Sequence, residues 1–477
     1  MPIHPGLFPD QVEHIVRDCG MSGLIVEGGR WKSLAPALER CPSLRYLVSA
    51  RKSSASSSST GSISNGSSAE AASDLDPGRR RRFEFPSIGA AATADVDSNV
   101  VTSFEPFVER AIDKDLAAIL YTSGSTGKPK GVMLSHANVV AGASIVSQYL
   151  RISGDDRILA VLPFSFDAGL NQLTTAVQQG GVCVMMKFLF AKEIVAMAAK
   201  ERITGLAGVP PLWNLLVQDS SRLAETPLPH LRYVTNTGGA MPQATLARLR
   251  AAIPDAQVVL MYGLTEAFRS TYLPPDQLDR RPTSIGKAIP NTEILVLDEN
   301  DRPCGPGETG ELVHRGPTVS LGYWGQPELT ARVLRPHPLA PSQIGDQERV
   351  CYSGDLVKRD EDGYLYFVGR RDNLIKSSGF RISPNEVEEA LCKTGELREA
   401  AVIGLPDDAL GQRIVAFAVP REGVEVSVDA LLAKTAAFLP RFMVPKTIEL
   451  TNDLPKTSSG KIDYPKLRER ASAADAD

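Results

Sequence analysis

The sequence predicts an α/β protein with two domains. The larger, N-terminal one combines parallel sheets covered by helices with a strand-rich subdomain, and a small α+β domain closes the chain. Three observations carry this reading. A chain of 477 residues, 43% hydrophobic and 23% charged, has the composition of a globular protein and can bury more than one core. From residue 116 to 261, apolar strand-like runs alternate with helical patterns, the order of a parallel sheet. After about residue 280, short strand-like runs are separated by Pro/Gly turns, which indicates antiparallel pairing.

The elements follow in order. Residues 8–19 have a helical pattern and residues 24–27 a strand pattern. Residues 52–75 are mostly Ser, Ala, Gly and Asn, and four arginines stand at 79–82. That composition buries too little apolar surface to fold, so 52–82 is expected to be a disordered insertion ending in a solvated charge run. Residues 116–121 read as a buried strand. A helix capped by Ser135 follows, with Val139, Ala143, Val146 and Leu150 at helical spacing. Strands are expected at 157–162, 182–186, 203–207, 233–237 and 258–261, with helices around 194–200, 211–218 and 243–252. The strand-rich part holds 293–298, 311–315 and 364–368. In the last unit, Ser383, Pro384 and Glu386 mark a capped helix start. Strands follow at 401–404, 413–419 and 447–450. There is no internal repeat.

Charge and cysteine usage exclude several classes. A net charge of −4 argues against nucleic acid as a main partner. Six scattered cysteines lack metal-ligand spacing and read as reduced thiols of a cytoplasmic protein. No apolar run approaches membrane-spanning length, and the first residues lack an apolar signal core.

The chain is organised around YTSGSTGKPKGVMLSH at 121–136. Glycines let a ligand approach main-chain N–H groups, and such groups form an anion-binding concavity. Thr122, Ser123, Gly124, Ser125, Thr126, Gly127, Lys128 and Lys130 supply the hydroxyls, open backbone and positive charge of a loop that grips a polyphosphate. It is not a P-loop. Thr122 stands where the first glycine belongs, and Pro129 follows Lys128 in place of Ser or Thr. In a strand–loop–helix setting, a plain Gly/Ser turn needs neither lysine. Gly238, Gly239 and Ala240 form a second turn at a strand end, and Tyr262 and Gly263 a third. Ligands of parallel sheets bind at such ends.

The loop resembles the phosphate-binding signature of the AMP-forming adenylating superfamily, which includes acyl-CoA synthetases, luciferases and peptide-synthetase adenylation domains. The resemblance continues to the end of the chain. MYGLTE at 261–266 is similar to the adenine and metal segment. It implies Tyr262 on the adenine, Thr265 at the α-phosphate and Glu266 on Mg²⁺, a cation suited to carboxylate and phosphate oxygens. YSGD at 352–355 resembles the ribose-binding turn, with Asp355 accepting from the ribose hydroxyls. GRRDNLIK at 369–376 resembles the segment joining the domains, with Arg370 on the nucleotide and Asp372 at the hinge. LPKTSSGK at 454–461 resembles the catalytic-lysine segment, with Lys461 stabilising charge as pyrophosphate leaves. Taken singly, a tyrosine before a turn, an exposed loop aspartate and a solvated lysine are ordinary structural residues. The combination reverses that weighting. Longer stretches, FSFDAGLNQLTTA among them, are similar to AMP-forming acyl-CoA ligases associated with exosortase systems.

The resemblance implies ATP-dependent activation of a small carboxylic acid through an acyl-adenylate. Transfer follows to coenzyme A or to the phosphopantetheine of an acyl carrier protein. It also implies more strand–helix units ahead of the glycine-rich loop than this chain shows. A shortened large domain over 1–370 and a mobile small domain over 371–477 are therefore expected. Phe166 and Asp167 occupy the substrate pocket. Amino-acid-activating domains carry Phe-Asp there, the Asp pairing with a substrate ammonium, so an amino-acid-adenylating enzyme stays open as an alternative. The bland reading of Asp167 is a turn cap. A luciferase-type oxygenase and an inactive nucleotide-binding protein are the remaining alternatives.

Overall fold

The structure is a computed structural model that describes residues 1–27, 30–50, 81–85, 111–122, 129–341, 343, 348–377, 380–407, 410–457 and 462–474. It divides into two compact units, one over Ile3–Ile112 and one that comprises Asp113–Asp477 with the first two residues.

The first unit contains helix α1 (Pro9–Asp18), strand β1 (Gly23–Glu27), helix α2 (Trp31–Leu38), strand β2 (Tyr46–Ala50) and strand β3 (Arg81–Phe85). The strands form one parallel sheet in that order. Val12, Val16, Val26, Leu34, Leu38 and Leu44 make its core. The expected insertion over 52–82 therefore ends too late. Arg81 and Arg82 open β3, where RRFEF alternates polar and apolar at the strand period. Residues 51–80 lie outside the described residues.

The second unit begins with an antiparallel hairpin, β4 (Leu116–Thr122) and β5 (Lys130–Ser135). Helix α3 (His136–Leu150) follows directly. The Ser135 hydroxyl accepts from the Asn138 N–H at 3.1 Å, and the Asn138 side chain accepts from the Ser135 N–H at 2.9 Å, so the expected cap is present. The strand–loop–helix expectation is corrected. KGVMLS is a second strand, and the glycine-rich loop spans a hairpin outside the parallel sheet.

That sheet has seven strands. In chain order the elements are β6 (Arg157–Ala160), α4 (Asp167–Gln179), β7 (Val182–Met185), α5 (Ala191–Lys200), β8 (Gly205–Gly208), α6 (Pro210–Leu216), β9 (Tyr233–Asn236), α7 (Gln243–Ala252), β10 (Gln257–Tyr262), β11 (Thr271–Leu273) and β12 (Lys287–Ala288). The spatial order is β12-β11-β10-β9-β8-β6-β7, and β6 to β10 run parallel. Helices α5, α6 and α7 cover one face through Ile194, Trp213, Leu216 and Leu249. Helices α3 and α4 cover the other through Val146, Leu150 and Ala176, against Tyr233, Val259 and Met261. Helix α4 is absent from the sequence expectation. Its Gly169 reads as a helix breaker, yet a Cβ there would lie 2.0 Å from the Pro163 carbonyl oxygen.

The strand-rich part holds β13 (Glu293–Leu297), β14 (Thr309–Arg315), β15 (Gly322–Tyr323), α8 (Pro327–Val333), β16 (Leu334–Pro336), β17 (Arg349–Arg359) and β18 (Leu365–Arg370). All but β15 pair antiparallel in one sheet, while β15 joins the β4–β5 hairpin. YSGD is corrected as well. It is not a turn between strands but an irregular stretch inside β17, where Gly354 has φ +71° and the register against β14 shifts.

The C-terminal part contains β19 (Ile375–Ser377), β20 (Phe380–Ile382), α9 (Pro384–Lys393), β21 (Leu397–Asp407), β22 (Gly411–Pro420), α10 (Val428–Thr435), β23 (Thr447–Leu450) and α11 (Tyr464–Ala474). Ser383 caps α9 as expected, accepting from the Glu386 N–H at 3.4 Å. A five-stranded sheet carries its own cores on both faces. The α/β class with a large body and a small α+β end stands.

Candidate active site

Strands β9 and β10 end in two of the expected turns. After β9, Gly238 takes φ +76°, a conformation glycine reaches without strain, and the turn through Ala240 is exposed. The Asn236 amide donates to the Gly239 carbonyl at 2.9 Å and holds this turn. After β10, Tyr262 leads into the loop with Gly263, Thr265 and Glu266.

Tyr262, Asp355 and Arg370 converge from three strands. The Tyr262 hydroxyl donates to Asp355 Oδ2, and Arg370 Nη1 donates to Asp355 Oδ1 at 2.8 Å and to the Ser353 carbonyl at 3.2 Å. Asp355 is buried, with its own N–H donating to Ser353 Oγ at 3.0 Å. Burial, then the Asp355 carboxylate, pushes the Tyr262 phenol well above its ordinary value. The Tyr262 ring lies 6.4 Å from the Phe367 ring. A carboxylate already aimed by two donors suits a site that accepts further hydroxyls.

Glu266 belongs to a second group. The Tyr323 hydroxyl donates to Glu266 Oε1 at 2.6 Å, and the Ser320 N–H donates to the Glu266 carbonyl at 2.8 Å. Lys130 stands 6.0 Å from the centre of the Tyr323 ring. Burial, then Glu266, pushes the Tyr323 phenol up. Tyr323 thus stands between Lys130, on the second strand of the glycine-rich hairpin, and Glu266, in the loop after β10.

Other expected residues are placed differently. Phe166 occupies the N-cap position of α4 without a side-chain cap bond, and half-buried Asp167 is the first helical residue. Asp372 falls in the short 3₁₀ turn Arg371–Asn373 that joins β18 to β19. Thr122 closes β4. Ser123, Gly124, Ser125, Thr126, Gly127, Lys128 and Lys461 lie outside the described residues.

Three neighbours escape the sequence reading. Tyr323 is one. Glu311 is another: it accepts the Gly354 N–H at 2.9 Å and Arg371 Nη1 at 2.6 Å, tying the β17 irregularity to the segment after β18. Its signal is a lone acid within the buried run of TGELVHR. The third is Arg269, buried at 3% exposure three residues after Glu266. Among the described residues no group of three or more His, Cys, Asp or Glu side chains is arranged to hold a metal ion.

A family profile described as "AMP-binding enzyme" matches residues 1–324, and one described as "AMP-binding enzyme C-terminal domain" matches residues 386–461. The chain belongs to the AMP-binding enzyme family. A long-chain-fatty-acid–CoA ligase of Salmonella typhimurium is 28% identical over 98% of this chain and 80% of its own length. A feruloyl-CoA synthase of an Amycolatopsis species is 34% identical over 75% of this chain and 70% of its own. ATP-bound MatB from Rhodopseudomonas palustris has a similar fold, with a TM-score of 0.79 and 25% identity over 98% of this chain and 83% of that one. As a member of this family the chain is an adenylate-forming ligase of the acyl-CoA type. It activates a carboxylic acid with ATP and passes the acyl group to a thiol. No helix among the described residues is long and apolar enough to cross a membrane.

Proposed function

We propose that this AMP-binding enzyme carries out its reaction with the residues assembled at the ends of β9 and β10. The single observation that carries the assignment is the Tyr262–Asp355–Arg370 constellation. The substrate carboxylate attacks the ATP α-phosphate and expels pyrophosphate, and a thiol then attacks the acyl-AMP carbonyl and expels AMP. Asp355 receives the ribose hydroxyls, Arg370 orients Asp355 and faces the nucleotide, and Tyr262 flanks the adenine. The exposed Gly238–Gly239–Ala240 backbone borders the nucleotide, and Thr265 contacts the α-phosphate. Residues 122–128 and Lys130 hold the outgoing phosphates. Lys461 neutralises the α-phosphate as pyrophosphate leaves. Asp372 is the hinge between domains 1–370 and 371–477.

Mg²⁺ fits the donor set. The cation is commonly held by one or two carboxylates with substrate phosphates and water. Glu266, its carboxylate oriented by Tyr323, is the carboxylate that would hold it, and the ion would neutralise phosphate charge. Coenzyme A is the proposed acceptor, supported by the relatives that bear CoA-ligase names over most of the chain. A carrier-protein phosphopantetheine is the second reading, favoured by a 32% match over 74% of the chain to a linear gramicidin synthase of Brevibacillus parabrevis. Six free cysteines support work in the reducing cytoplasm. The exosortase association rests on the sequence resemblance alone.

The test is a mass-spectrometric assay for thioester and AMP with ATP, an acid panel and either coenzyme A or a phosphopantetheinylated carrier protein. Acid-dependent AMP release with a matching thioester supports the reading. Hydrolysis of ATP without an acyl product contradicts it.

A further inference from the structure

Two arginines are buried among the described residues. Arg281 is paired with Asp360 and Asp362. Among the described residues no carboxylate pairs with Arg269, its side chain makes one hydrogen bond, from Nη1 to Thr237 Oγ1 at 3.3 Å, and its buried Nε–H has no partner. A guanidinium carries five N–H donors and remains charged, so burying it without an anion is costly.

The position is built. Phe268, fully buried, takes φ +59°, a strained backbone for a bulky residue, and so fixes the direction of the next side chain. The Arg269 carbonyl accepts from Thr318 Oγ1 at 3.4 Å, and Thr318 is bound in turn to the buried His314 ring at 3.1 Å.

The surroundings are polar and incomplete. Tyr233 packs with Val146 of α3 and Val259. The two-residue period of a strand therefore turns Thr235 and Thr237 to the same face, under α3 and α4. The Arg269 Nη1–Thr237 Oγ1 bond sets Arg269 on that side too, where its charge opposes the burial that holds the Tyr149 phenol of α3 up to about 12. Helix α4 lies on this face, its Gln172 amide donating to the Leu159 carbonyl at 3.1 Å. Thr235 Oγ1, Asn171 Nδ2, Thr175 Oγ1 and Ser165 Oγ are all buried without a partner. This polar wall begins at the same helix end as Phe166 and Asp167.

We propose that Arg269 is a specificity residue that receives a second anionic group on the acid substrate, so that the acid activated is a dicarboxylic acid or one with a distal carboxylate. The proposal rests on the adenylation reading and names its substrate class. The planar fork of N–H groups matches a carboxylate in bidentate geometry, and the open hydroxyls and amide of the wall complete its hydrogen bonds. The substrate supplies the charge that the fold withholds from Arg269.

The test is pyrophosphate exchange on the full chain with straight-chain diacids of three to eight carbons. Each is compared with the monoacid bearing a methyl in place of the second carboxyl. Wild type, Arg269→Met and Arg269→Lys are measured, with thermal unfolding as the folding control. In the wild type, at least one diacid should exceed its monoacid in kcat/KM by about 30-fold or more. Arg269→Met should erase that preference, leave the monoacid equal or better and keep the KM for ATP within about twofold. Arg269→Lys should restore part of the preference. The inference is overturned if both acids respond alike to Arg269→Met, or if the KM for ATP rises while acid preference stays. Should Arg269→Met fail to fold, a wild-type preference for monoacids over every diacid overturns it and the reverse supports it. Exchange with monoacids alone defeats this inference only. Exchange with no acid defeats the adenylation reading as well.

Discussion

Asp355 is buried, and both of its oxygens are engaged, one by a phenol and one by a guanidinium. Asp355→Asn should leave Arg370 without its counter-charge and Tyr262 with a weaker acceptor. Arg370 is half exposed, so solvent screens part of the loss, and about 1–2 kcal/mol is expected from the pair. The KM for ATP should rise by roughly tenfold or more, and an unchanged KM would remove Asp355 from the nucleotide site. Tyr323→Phe tests the other group. It takes away the donor that orients Glu266, and such supporting partners commonly cost 10–100-fold. Adenylation should slow by about that factor and need more Mg²⁺, while thioester formation from supplied acyl-AMP stays near wild type. Equal loss in both half-reactions would make Tyr323 merely structural. At this scale the sequence singles out Tyr262, Glu266, Asp355 and Arg370 because they sit in short, dense motifs, and the structure brings Tyr262, Asp355 and Arg370 together. Tyr323 and Glu311 were not singled out, since each meets its partner across 57 and 43 residues of chain. Arg269 was not singled out either, since nothing in the mixed stretch around it signals that its side chain is buried.

Single elements carry their own consequences. Burial pushes His314 on β14 down to about 3. Its unfolded value is near 6.5, so below that pH the unfolded chain binds a proton that the native state refuses. The contribution of this group is present above pH 6.5 and is lost as pH falls towards 3, at up to about 1.4 kcal/mol per unit. Thermal unfolding between pH 7 and pH 5 should therefore show a smaller drop for His314→Gln than for wild type, and parallel curves would contradict the assignment. On α3, Gly142 admits the Phe268 ring, and a Cβ there would lie 2.3 Å from it. Gly142→Ala should destabilise by about 1–3 kcal/mol and disturb the turn that precedes Arg269, read as a lower midpoint in urea. Strand β10, with its apolar run, was legible with nearly correct ends, and so was the shorter YVTN of β9. Helix α4 and strand β17 were not. Their glycines look like breaks, whereas the structure uses Gly169 for close approach and Gly354 for an irregularity inside the strand.

At the scale of the molecule, alternating strands and helices followed by a strand-rich stretch identified the α/β body, because burial on both faces of a parallel sheet leaves long apolar runs. The hairpin at 116–135 was misread, since KGVMLS continues a glycine-rich loop and only pairing with β4 reveals it as a strand. Deleting residues 53–73 should change thermal stability by no more than about 1 kcal/mol, the scale of loop-closure entropy; a larger loss in calorimetry would show that the segment is folded. Lys461→Ala should abolish adenylation and spare thioester formation from supplied acyl-AMP, because charge at the α-phosphate matters while pyrophosphate departs. The most direct measurement of the central claim is exchange of labelled pyrophosphate into ATP, run without any thiol across fatty, aryl, amino and dicarboxylic acids. An adenylate-forming enzyme exchanges label only when its acid is present, and Lys461→Ala stops it. Exchange that is absent with every acid, or that proceeds without an acid, would contradict the account.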